Sequence, residues 1–77
     1  MITYLTVTFN TEGSRPSEIM DALHGLGFEP TTGSYDFLYR WGANATVEDA
    51  IYLADKVCLT LKGKHVLFKL QTVRDIP

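Results

Sequence analysis

Sulfur chemistry is nearly absent from this chain. Its 77 residues include one cysteine, Cys58, so no disulfide can close within the chain and a zinc site built on several thiolates is excluded. An excess of positive charge is also missing: seven Lys and Arg stand against nine Asp and Glu, a net charge of −2. Affinity for a phosphate backbone comes mainly from Lys and Arg that displace counterions, so the composition argues against a nucleic-acid partner. No apolar run approaches the roughly 18 residues that span a bilayer, which argues against a membrane partner. The opening MITYLTVTFN has no positive n-region and no cleavage pattern, and its apolar residues alternate with Thr as in a strand. The expectation is a cytoplasmic chain. Asn44-Ala45-Thr46 fits the glycosylation sequon, but without an export signal it reads as coincidence.

Linkers, repeats and low-complexity segments are absent as well. What is present is an ordinary globular composition, 45% hydrophobic and 21% charged, which fits one small domain over residues 1–77. A domain of this size buries only about 60% of the surface its unfolded chain exposes, so its stability margin is thin and self-association is a common remedy.

Turn-forming clusters divide the chain clearly. A first strand spans about Ile2 to Phe9, with Met1, Thr3, Leu5, Val7 and Phe9 on one face and Ile2, Tyr4, Thr6 and Thr8 on the other. After Asn10 to Ser14, Pro16 suits a first helical turn, and Ile19, Met20, Leu23 and Leu26 form an apolar stripe that Gly25 and Gly27 end. Phe28 to Thr31 reads as a short edge strand because of Pro30. A third strand, Ser34 to Trp41, precedes a second helix. Thr46 and Asp49 form a capping box there, and Val47, Ala50, Ile51, Ala54, Val57, Cys58 and Leu61 share one face. A last strand spans His65 to Val73. The order β-α-β-β-α-β implies an α+β, ferredoxin-like two-layer sandwich, an antiparallel sheet with two helices on one face. If Phe28 to Thr31 forms no strand, the alternative is a three-stranded βαβαβ chain.

The third strand carries four aromatics at alternate positions, Tyr35, Phe37, Tyr39 and Trp41. Within it, Gly33-Ser34-Tyr35-Asp36-Phe37-Leu38 resembles the central-strand motif of the RNA-recognition motif at its Tyr, Phe and Leu positions, and departs from it at Thr32, Asp36 and Arg40. The resemblance implies outward aromatics that stack on bases. That register would bury Asp36 and Arg40, and burying unpaired charge is expensive. The inward register buries the aromatics against the helices and leaves both charges in water. It is the expected one, with Asp36 solvated or paired with Lys69 or Arg40.

Candidate chemistry is sparse. Asn10, Gly13, Ser14 and Arg15 sit where the first helix begins, a place that favours anions. Acylphosphatases, which share the expected topology, bind phosphate there; this chain matches them only in a loop arginine. The plainer expectation is a cap by Ser14 with a solvated Arg15. His24 and His65 lack further ligands at metal spacing, so no metal or other cofactor is expected, and Cys58 reads as an inert buried thiol. The small ferredoxin-like nucleases of CRISPR systems carry an Asp at the end of strand one, where this chain has Asn10. An enzyme is not expected, and a nuclease or RNA-binding module is the least favoured reading. The leading expectation is a domain acting through protein contacts, most simply as a homodimer. The expected contact is the open sheet face, where Tyr4, Leu38 and Leu67 form an apolar centre rimmed by Asp36, Arg40 and Lys69; an edge strand is the rival geometry. A small anion at the Asn10–Arg15 loop is the alternative function.

Overall fold

The computed structural model describes residues 1–74. Its elements are β1 (Ile2–Thr8), α1 (Pro16–Gly25), β2 (Glu29–Pro30), β3 (Phe37–Arg40), α2 (Val47–Leu61) and β4 (Leu67–Val73). The four strands form one antiparallel sheet in the order β2-β3-β1-β4. β2 does pair, so the three-stranded alternative is set aside. Each βαβ unit is split by an intervening strand: β3 lies between β1 and β2, and β1 lies between β3 and β4.

Local sequence accounts for the helix ends. Gly27 takes φ +103° after α1; its N–H donates to the His24 carbonyl, and that of Phe28 donates to the Leu23 carbonyl. This is a Schellman closure, and its apolar pair Leu23 and Phe28 is fully buried. At the start of α2 the Thr46 hydroxyl accepts the Asp49 N–H, while the Asp49 carboxylate accepts the Thr46 N–H. The expected capping box is therefore present.

Leu5 and Phe37 of the sheet share one core with Ile19 and Leu23 of α1 and Leu53, Val57 and Leu61 of α2. Both helices accordingly cover the same sheet face. Tyr39 and Trp41 pack against this core, and Trp41 Nε1 donates to Thr3 Oγ1 at 2.8 Å.

Several expected positions are corrected. Phe9 lies beyond β1 and is exposed, as is Met20 on α1. On α2 the core takes Val57 and Leu61 from the expected stripe and adds Leu53, whereas Ala50 and Ala54 are half-buried and Val47, Ile51 and Cys58 are exposed. The stripe reaches past the core to the outer strand β4, and it divides between core and flank. Tyr35 also departs from the aromatic row, because the chain bends ahead of β3 and strand alternation does not reach it.

Candidate functional site

The Asn10–Arg15 loop is closed on itself and on the turn before β4. Asn10 Oδ1 accepts the Glu12 N–H at 2.8 Å, and the Asn10 carbonyl accepts that of Gly13 at 2.9 Å. Ser14 N–H donates to the Lys64 carbonyl at 3.0 Å. A Cβ on Gly13 would come 2.5 Å from that same carbonyl oxygen, so only glycine lets the two loops approach this closely. Arg15, rather than Ser14, is the N-cap residue, and no side chain caps the helix. Its guanidinium stays largely in solvent, as expected, and also meets Glu18 Oε1 at 2.9 Å. The Gly13 and Ser14 amides, which an anion would need, are already used within the protein, and carboxylates of Glu12 and Glu18 stand in the same segment.

The open face differs from expectation at its centre. Glu29, Leu38, Tyr4 and Gln71 form one row across the four strands. Tyr35 folds over this row: its ring stacks on Tyr4 with centroids 4.4 Å apart, and its hydroxyl donates to Gln71 Oε1 at 3.0 Å. Leu38 is only 8% exposed. Tyr4 and Leu38 are neighbours as expected, but they are covered from within the chain. Leu67 does not join them. It sits opposite Thr8, four residues along β4 from Gln71, roughly 13 Å away along the strand. Arg40 lies opposite Ile2, 3.9 Å from Glu29 Oε2, and Lys69 lies opposite Thr6. Asp36 is exposed, as expected, and instead of pairing with Lys69 or Arg40 it meets backbone: its Oδ2 accepts the Val7 N–H at 2.9 Å and its own N–H donates to the Leu5 carbonyl. It extends the β1–β3 ladder by one residue ahead of Phe37.

Unused apolar surface is gathered elsewhere, on the flank formed by α2 and β4. Val47 and Ile51 are 61% and 56% exposed, and with Ala50 and Ala54 they line a cavity of about 380 Å³ whose other wall includes Leu70 and Thr72. Further along the same helix, Cys58 and Leu61 face Val66 and Phe68 across a second cavity of about 520 Å³. The two together run the length of α2. Their floor is the helix-side face of β4, whose Phe68 and Leu70 stay half-buried although they belong to the core layer. The open-face side chains of β4 include Leu67, 75% exposed, and Val73.

β4 is also an outer strand, and its free edge is long. The other outer strand, β2, has two residues and contains Pro30, which cannot donate to a further strand. β4 has seven residues and no proline, and Lys69 is its only charge. Short edges, prolines and lysines are the usual guards against edge pairing: β2 has the first two, and β4 has only Lys69. Of the expected interface residues, Leu67 and Lys69 lie on this strand, and Tyr4, Leu38 and Arg40 do not. Val47, Ile51, Phe68 and Leu70 were not expected there. The excess width of the α2 stripe was the available signal for the first two.

Among the described residues no three His, Cys, Asp or Glu side chains come together to hold a metal, and no helix is long and apolar enough to cross a membrane. No protein family, curated protein or solved structure matches this chain.

Proposed function

We propose that this chain is a small cytoplasmic domain of ferredoxin-like type that works through protein contacts, without catalysis, and that it self-associates through the flank formed by α2 and β4. The strand order and the two split βαβ units support the ferredoxin-like assignment. The observation that carries the functional reading is the coincidence of a seven-residue edge, free of proline, with an apolar cleft running beside it. An apolar strip next to unpaired backbone groups is costly to leave in water, and a small domain gains stability from covering it. Homodimerisation requires no other gene product, which makes a second copy the simplest cover. The anion reading at Asn10, Gly13, Ser14 and Arg15 has less support, since its amides are engaged.

Light scattering on a size-exclusion column tests the proposal. At tens of micromolar the mass should be twice the 8.6 kDa of the chain. Ile51→Glu places a charge on the cleft wall and should return the protein to monomer with its far-UV circular dichroism intact. A wild-type chain that stays monomeric up to millimolar concentration overturns the self-association. A thermal shift on adding phosphate or sulfate, lost in Arg15→Ala, would favour the loop instead.

A further inference from the structure

We infer that the second copy binds edge to edge, with β4 pairing antiparallel to the partner's β4 about a two-fold axis at Leu70. The two four-stranded sheets then become one. This inference rests on the self-association proposed above and specifies its geometry.

The direction of the backbone groups comes first. The Met1 and Leu5 carbonyls and the Val7 N–H all bond on the β3 side of β1. A strand alternates the side to which its residues direct their backbone groups, so Ile2, Tyr4, Thr6 and Thr8 direct theirs to β4. These residues stand opposite Val73, Gln71, Lys69 and Leu67. Those four residues are therefore satisfied by β1, and Phe68, Leu70 and Thr72 direct their N–H and C=O groups outward. A two-fold at Leu70 sets Leu70 against Leu70 of the partner subunit, and Phe68 against Thr72 of the partner subunit. Outward groups meet outward groups at every rung.

Side chains select this register among its neighbours. On the open face it sets Leu67 opposite the partner's Val73, and Val73 opposite the partner's Leu67, so the exposed apolar residues of β4 cover one another. Lys69 falls opposite the partner's Gln71, a neutral acceptor. Moving the axis to residue 69 would set Lys69 against the partner's Lys69, a like-charge pair directly across the strands, which is destabilising. Moving it to residue 71 would leave Leu67 without Val73. On the helix side, pairing at Leu70 brings the two clefts together above the joined strands, with Val47 and Ile51 of each α2 flanking the Leu70 pair. The strand is thus complementary to itself in backbone direction, apolar pairing and charge, a match that a foreign strand would have to reproduce.

Disulfide trapping reads the register. In a Cys58→Ser background, which removes the exposed native thiol, Lys69→Cys and Gln71→Cys proteins are mixed and mildly oxidised. Residues 69 and 71 of opposite chains form a non-hydrogen-bonded pair with Cα atoms about 4.5 Å apart, within disulfide reach. The mixed cross-linked species should form well above the share given by random pairing. Preferential cross-linking of Lys69→Cys or of Gln71→Cys with itself overturns this register. A dimer by light scattering that yields no cross-link through either position overturns the edge pairing and leaves self-association standing. A monomer at all concentrations overturns both, and a foreign strand then replaces the second copy as the occupant of the edge.

Discussion

Thr3 is the buried polar side chain of the described core, and it is satisfied twice: its hydroxyl lies 2.7 Å from Thr72 Oγ1 and accepts Trp41 Nε1–H at 2.8 Å. It ties β1 to β4 and to the end of β3. Thr3→Val keeps the shape but strands the indole donor, which should cost about 1–3 kcal/mol. Urea denaturation should show a lower midpoint at unchanged slope; an unchanged midpoint would mean that water replaces the bond without loss. Two glycines give a sharper pair of outcomes. Gly13→Ala forces a Cβ to within 2.5 Å of the Lys64 carbonyl oxygen and 2.9 Å of that of His65, both backbone atoms. Something must move, and the cost should be about 1–3 kcal/mol. Gly25→Ala adds a Cβ with nothing within 4 Å, in the last turn of α1. It should be neutral or stabilising, by up to about 1 kcal/mol, because alanine is the better helix former. Equal effects at the two positions would mean that the loops around Gly13 do not pack as closely as described.

At the scale of elements, α2 separates two kinds of apolar residue that look alike in sequence. Val57 is fully buried and Ile51 is 56% exposed, although both lie on the expected stripe. Val57→Asp should unfold or severely destabilise the chain by burying an unpaired carboxylate. Ile51→Glu should leave the denaturation midpoint of the isolated chain within about 0.5 kcal/mol of wild type, as surface changes usually do. Similar losses from both would show that the helix is rotated from the orientation described. The sequence marks α2 as amphipathic and locates its capping box, since both follow from spacing within one segment. It does not mark where the core ends and the cleft begins: Val47, Ile51, Tyr52, Leu53 and Leu59 make the helix apolar on several sides, and only its docking on the sheet decides which are covered. The aromatic strand teaches the same limit. Phe37 and Tyr39 follow the alternation inward, as the cost of burying Asp36 and Arg40 requires. Tyr35 does not, because Asp36 uses both its amide and its carboxylate on β1 and bends the chain before the strand begins. The closure of the Asn10–Arg15 loop is hidden for a related reason: the partner of Ser14 is Lys64, far along the chain, and a local pattern of helix-start residues contains no trace of it.

At the scale of the whole molecule, the two sheet faces and the two sheet edges are finished to different degrees. One face is covered by the helices, and on the other Tyr35 lies over Tyr4 beside the buried Leu38 while Leu67 and Val73 of β4 stay exposed. One edge is shortened and blocked by Pro30. The β4 edge and its cleft are left over, and they adjoin each other, so a single contact covers both. If that contact is a second copy, folding and association are linked and stability must depend on concentration. A dimer that unfolds to two chains gains about 1.4 kcal/mol per mole of dimer for every tenfold rise in concentration. Half of that belongs to each chain, which for a domain of this size should raise the thermal midpoint by about 3–5 °C per decade of concentration. Ile51→Glu should abolish that slope and melt at one temperature throughout, near the low-concentration limit of wild type. A wild-type midpoint that does not move between micromolar and millimolar protein would mean that the chain holds its fold without covering this flank, and that the flank is kept open for a different protein.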